Sequence, residues 1–378
     1  MSITTNRRVR VAAGAIAVTL VAALFGSGTP TSAGPPDPLS GLTTSQLAGQ
    51  RVIYSYAGLT PPEELFDRIR AGEAAGVIFF GENITSQAQI RAVIDDLQAA
   101  NEESPIDAPL LMMTDQEGGI VRRLPGEPVL SAKWVGAGPH SRQLASEAGT
   151  GAGENMLGAG MNVNLAPVLG VYRQPLDFLD QFQRSYGHDA QKVARLGAAF
   201  ISAQQSTGVA ATVKHFPGLG AATASQNTDL GPVTLDLSRR KLRTVDDVPY
   251  PPALAAGVDL VMASWAQYPR LDPDWPAGLS RKIVRGRLRN QFGFSGVTIT
   301  DAMEAGAITP FGTPDENTVR AARVGMDLLL FSAKDTDQGV AGLDALTAAL
   351  EDGTLDPVHF NESIVRVLAL RFSVGAPT

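Results

Sequence analysis

The sequence predicts an α/β fold, a (β/α)8 TIM-type barrel built as a single domain. Three observations predict it. Short apolar, β-branched runs alternate with stretches of helical periodicity, the pattern of βα units around a parallel sheet. Eight such runs occur, the strand number of a closed parallel barrel. No stretch of the 378 residues is left over for a second domain. A doubly wound open sheet is the competing topology, but no G-x-G-x-x-G follows the first run, so its phosphate-binding turn is missing.

In chain order, the first segment lies outside the barrel. Arg7, Arg8 and Arg10 precede the apolar run Val11 to Phe25, and the small residues Thr31-Ser32-Ala33 follow, the order of a secretory signal. Fifteen apolar residues fall short of the roughly 20 that span a bilayer. Residues 1–33 are therefore read as a signal peptide, 34–46 as a Pro-rich linker and 47–378 as the barrel domain, with no stable membrane insertion once the signal is removed. Strands are expected at Arg51 to Tyr56, Gly76 to Phe80, Pro109 to Thr114, Asn162 to Pro167, Val209 to Lys214, Leu260 to Ser264, Val297 to Thr300 and Asp327 to Phe331. Their near-continuous apolar character suits strands covered on both faces. Helices are expected at Glu63 to Ala74, Thr85 to Ala100, Arg142 to Leu157, Ala190 to Thr207, Arg281 to Gln291, Glu316 to Val324 and Val340 to Leu350.

Composition narrows the chemistry. Hydrophobic residues make up 44% and charged residues 18%, enough to bury a sizeable core. The net charge of −7 becomes −10 once the three arginines of the signal are removed, and no long basic run offers a nucleic-acid surface. Cysteine is absent, which excludes disulfides, thiolate nucleophiles, cysteine-ligated metals and a lipid anchor. The four histidines, His140, His188, His215 and His359, never fall at the i, i+4 spacing of a helical metal pair, so no metal site is expected. An exported, acidic protein acting on a small or neutral ligand fits best.

Active sites of parallel barrels sit at the C-terminal ends of the strands, and three runs end in unusual polarity. The third continues into Thr114-Asp115-Gln116-Glu117-Gly118-Gly119, with Arg122 and Arg123 behind it. The fifth ends in Lys214-His215-Phe216-Pro217-Gly218, the seventh in Thr300-Asp301-Ala302-Met303-Glu304. Each alone could be loop polarity; three on one rim point to a shared site.

These motifs, together with Asn164-Leu165-Ala166-Pro167-Val168 and Arg184-Ser185-Tyr186-Gly187, resemble glycoside hydrolase family 3 over roughly Leu47 to Phe372. The similarity is to its single-domain β-N-acetylglucosaminidase branch. The resemblance implies a (β/α)8 barrel, no cofactor, and retaining hydrolysis of a β-linked sugar from an oligosaccharide such as a cell-wall fragment. It also implies Asp301 as nucleophile, with Asp115, Arg123, Arg184, Lys214 and His215 holding the hydroxyls of the terminal sugar. The residue types agree: polyol hydroxyls both donate and accept, and charge-assisted contacts fix ring orientation. Trp134, Trp265 and Trp275 could stack on a sugar face, although packing in the core or in loops is the simpler reading.

The resemblance breaks at the general acid. In that branch the strand-five loop carries Asp-Ser-His, whose Asp and His act as a pair; gapless alignment puts Ser225 and Asn227 there, neither a useful proton donor near neutral pH. Gly170 replaces a further common Asp. Asp229, two residues beyond Asn227, is the nearest substitute acid, unless it caps a turn or lies in solvent; Glu304 is the next. The alternatives to a β-N-acetylhexosaminidase are a non-catalytic sugar-binding protein on the same barrel and a family 3 glycosidase of other specificity. Aglycone, linkage and oligomeric state leave no mark in the sequence.

Overall fold

The computed structural model describes residues 39–375. The segment read as a signal peptide, and the linker to residue 38, lie outside the described residues. Eight parallel strands close a barrel in chain order: β1 (Val52–Tyr54), β2 (Gly76–Ile78), β3 (Leu111–Thr114), β4 (Val163–Asn164), β5 (Ala210–Phe216), β6 (Leu260–Ala263), β7 (Val297–Ala302) and β8 (Leu328–Leu330). Closure is made by β1, which pairs Ile53 with Leu330 of β8 and with Gly76 of β2. A main helix follows each strand, some with shorter helices beside it: α1 (Glu63–Arg70), α2 (Gln87–Glu102), α3 (Ser141–Gly158), α4 (Ala190–Gln205), α5 (Tyr250–Ala255), α6 (Lys282–Gln291), α7 (Pro314–Val324) and α8 (Thr336–Glu351).

Each strand overlaps its expected run, with two extensions. β5 runs to Phe216 and β7 to Ala302, two residues beyond Lys214 and Thr300. The polarity of Lys214, His215 and Asp301 reads as loop in sequence, yet these side chains stay on extended backbone at the barrel mouth. Residue 46 is not the end of a linker, because Thr43 caps a helix Thr44–Gly49 in a reciprocal box with Gln46. Helix α7 begins two residues before Glu316, which completes a second such box with Thr313. Helix α5 was not expected: its prolines lie in the first turn, where a missing N–H costs nothing.

Packing leaves one end of the barrel open. The interior is filled by residues such as Ile53, Leu111, Met113, Leu260, Ile299 and Leu328. Val367 and Leu370 of a C-terminal helix, Pro357–Gly375, join this core. Arg371 of the same helix is buried, donating to the carbonyls of Ala108 (2.6 Å) and Pro109 (2.8 Å) at the entrance to β3. That helix closes the N-terminal end. On the outside, α3 lies tight on α4 because Gly149 has no side chain: a Cβ there would come within 2.3 Å of the Phe200 carbonyl oxygen.

Candidate active site

The open, C-terminal end holds a cavity of about 340 Å³. Asp115, Arg123, Arg184, Lys214, His215, Asp229 and Asp301 all line it, so the seven residues singled out in the sequence are brought together. The volume suits one sugar ring with a few convergent polar groups.

A residue absent from that set organises one wall. After β3 the chain forms a small hairpin, Gln116–Gly118 against Val121–Arg122, where a loop was expected. Gln116 is buried and fixes the hairpin by accepting from the amides of Arg123 and Leu124, each at 3.0 Å. This places the buried Glu117 against Arg184, whose Nε and Nη2 donate to its two oxygens at 2.9 and 2.8 Å, with Lys214 Nζ also 2.8 Å away. Burial alone would raise the Glu117 carboxyl; Arg184 and Lys214 outweigh it and hold it down at about 2. Lys214 Nζ lies 2.5 Å from Asp115 Oδ1, and Arg123 lies 3.9 Å from the other Asp115 oxygen. The wall is a preorganised lattice of two carboxylates and three cations. Glu117 stands in the quoted Asp115-Gln116-Glu117 motif, and its charge between two glycines and a buried strand was the available signal.

His215 does not behave as an ordinary core histidine. Its Nδ1 is buried without a partner, and Nε2 lies 3.9 Å from Asp301 Oδ2. Burial, with Arg184 and Lys214 nearby, lowers its pKa well below the usual value, so the ring is neutral at pH 7. Asp301 ends β7, where its Oδ1 accepts from the Ala302 amide at 2.9 Å and the Trp265 indole donates to the Ala302 carbonyl at 2.8 Å. Burial first, and the charge of Asp229 second, raise Asp301 to about 7 against the pull of Lys214 and Arg184.

Asp229 faces Asp301 from the loop after β5. Asn227 folds that loop: its side-chain oxygen accepts from the Asp229 amide at 2.9 Å. The turn is therefore capped by Asn227, leaving the Asp229 carboxyl directed to the cavity it lines. The loop is tied to the β7–α7 connection by Gly306 N–H to Asp229 O (2.9 Å) and Ala307 N–H to Thr228 O (3.0 Å). Asp229 is exposed at the cavity rim; the desolvation it does meet, then the charge of Glu304 and Asp115, raise it above the ordinary carboxylate range, with Arg184 and Lys214 opposing. Glu304 also lines the cavity, but its oxygens are engaged as acceptors from Ser332 Oγ (2.7 Å), Ser332 N (3.2 Å) and Gln338 (3.2 Å). Ser225 is exposed. Gly170 leaves no gap, because a Cβ there would meet Leu179 Cδ1 at 2.1 Å.

The tryptophans divide. Trp265 is core, and Trp275 sits under the Arg320 guanidinium and beside Phe311. Trp134 is exposed. None lines the cavity.

Residues 45–370 match the Glycosyl hydrolase family 3 N terminal domain. The chain belongs to glycosyl hydrolase family 3. An uncharacterized secreted glycosyl hydrolase of Arthroderma benhamiae is 46% identical over 341 residues, covering 90% of this chain and 96% of that protein. The solved structure of a family 3 β-N-acetylglucosaminidase from a Paenibacillus species superposes with a TM-score of 0.82 at 36% identity, covering 89% of this chain and 64% of that one. This chain thus spans just under two thirds of the Paenibacillus protein. The β-N-acetylhexosaminidase of Beutenbergia cavernae gives a TM-score of 0.78 at 32% identity, covering 87% of this chain and 98% of that one. The residues described here accordingly form the (β/α)8 barrel of a family 3 glycosyl hydrolase, as the motifs implied.

Proposed function

We propose that the protein is an exported β-N-acetylhexosaminidase that removes terminal β-linked N-acetylglucosamine with retention of configuration. Asp301 is the nucleophile and Asp229 the general acid/base. The observation that carries this reading is the convergence of Asp301 and Asp229 on one sugar-sized cavity that Asp115, Lys214 and Arg184 also line, the last two held by Glu117. Relatives named for β-N-acetylglucosaminidase and β-N-acetylhexosaminidase activity support the substrate class.

In this mechanism Asp115, Arg123, Arg184, Lys214 and His215 hold the hydroxyls of the terminal ring, fixing the anomeric carbon over Asp301. The charge of Asp229 helps to raise Asp301, so the protonation of the two carboxyls is linked. The reactive tautomer has Asp301 ionised and the proton on Asp229. Asp301 attacks the anomeric carbon while Asp229 delivers its proton to the leaving oxygen; water then enters, gives its proton back to Asp229 and releases Asp301. Carboxylic acid chemistry so replaces the absent Asp–His pair. Hydrolysis of an N-acetylglucosamine oligomer followed by proton NMR tests the proposal: the β-anomer of N-acetylglucosamine appears first. Initial release of the α-anomer contradicts the retaining route, and no release of this sugar contradicts the specificity.

A further inference from the structure

An apolar, partly aromatic surface lies outside the cavity. Among the described residues, six exposed large apolar side chains cluster on the loops after β3 and β4: Ile120, Val129, Leu130, Trp134, Leu176 and Phe182. Scattered exposed apolar residues need no explanation, but a grouped set beside a binding cavity does. The two loops are joined: Lys133 N–H donates to Gln183 O at 3.2 Å, Ser131 Oγ lies 3.0 Å from Gln183 Oε1, and Lys133 Nζ pairs with Asp180 at 2.8 Å. Trp134 begins the turn that Ser131 caps and is 62% exposed.

This surface is continuous with the cavity at two points. Phe178 lines the cavity and meets Phe182 edge-to-face, ring centroids 5.5 Å apart, while Phe182 is itself 40% exposed and two residues from Arg184. Val121 lines the cavity and its neighbour Ile120, at the hairpin tip, is exposed. Trp134 lies in the short helix Ala132–Ala137 and Phe182 ends the short helix Phe178–Gln181; rings seated on such elements but left facing water lose little entropy on binding and present the flat apolar face that a pyranose ring covers.

We propose that Phe182 and Trp134 form a binding surface for the sugar units beyond the scissile bond, so that the enzyme takes extended β-linked N-acetylhexosamine chains in preference to disaccharides. The occupant is a sugar chain because the surface continues from the sugar-binding cavity, and a second copy of the protein is the competing occupant. This inference rests on the carbohydrate reading of the cavity. The test uses the Asp301→Asn variant, which cannot consume its ligand, and compares binding of N-acetylglucosamine with that of its β-1,4-linked tetramer by calorimetry. The expected result is a tetramer affinity at least ten-fold above that of the monomer, with the ratio falling to about one when Trp134→Ala and Phe182→Ala are added. A ratio near one before the additions, or unchanged by them, overturns the proposal while leaving the cavity reading intact. Failure to bind either sugar sinks the cavity reading and this inference with it. If light scattering shows that the double substitution dissociates a dimer while the affinity ratio stays put, the surface belongs to a second copy.

Discussion

In the proposed mechanism Asp301 and Asp229 carry the chemistry, and their coupling is open to measurement. Because burial and its neighbours raise the Asp229 carboxyl above the ordinary range, kcat/KM for an unactivated glycoside should fall once rising pH removes that proton. An aryl glycoside with a good leaving group needs no acid and should not fall there. Asp229→Asn should slow the unactivated substrate by about 10²- to 10⁴-fold and spare the activated one. It also removes a negative charge facing Asp301, so the pH at which Asp301 ionises should move below about 7. Equal losses on both substrates would remove Asp229 from the acid role. A stability measurement checks the same environment. Folding raises the pKa of Asp301 above the roughly 3.9 of an unfolded aspartate, so the native state holds a proton that the unfolded chain has lost. Stability therefore declines from about pH 4 to 7 and stays lowered above it. Asp301→Asn carries no such penalty; its Tm should exceed the parent's at pH 8, with the gap shrinking toward pH 5. A gap independent of pH would mean that Asp301 is not desolvated in the native protein.

At the scale of elements, the loop after β5 matters most, because it carries Asp229 without helical support. Its base is set by contact of backbone with backbone: a Cβ on Gly220 would lie 2.2 Å from Val171 O and 2.4 Å from Val171 C and N. Gly220→Ala should cost about 1–3 kcal/mol by overpacking and displace the loop, lowering kcat more than the affinity for N-acetylglucosamine; unfolding curves and calorimetry read the two effects separately. An unchanged Tm would show that the loops can part freely. The sequence made the barrel strands legible because each is a buried apolar run, and the mouth legible because charges follow such runs. It did not show that β5 and β7 continue through those charges, nor the hairpin that seats Glu117. Both depend on partners far along the chain, Arg184 and Lys214 for Glu117 and Trp265 for the end of β7. The sequence motivates Asp229 as an acid only by its nearness to Ser225 and Asn227; the turn by which Asn227 presents Asp229 was not legible, since an Asx turn is a local geometry with many compatible sequences.

For the whole molecule, stability and chemistry occupy opposite ends of one barrel. The closed end is secured by Asp327, which is fully buried and accepts from Thr298 N–H (2.8 Å), Arg366 (2.9 Å) and Arg289. Burial opposes its ionisation, but the two arginines keep its pKa below the ordinary value. Asp327→Asn leaves those arginines unneutralised and should cost about 3–5 kcal/mol, seen as a lower unfolding midpoint in urea. Activity at a temperature where the variant remains folded should be unaffected, because the cavity lies at the other end. The open end offers one sugar-sized cavity, and the account stands on Asp301 as the nucleophile within it. Incubation with a fluorinated, activated N-acetylglucosaminide followed by peptide mass spectrometry tests that most directly. One sugar should be bound covalently through an ester to Asp301, with none on the Asp301→Asn variant; an adduct on another residue, or no adduct while the unfluorinated glycoside is hydrolysed, would contradict it.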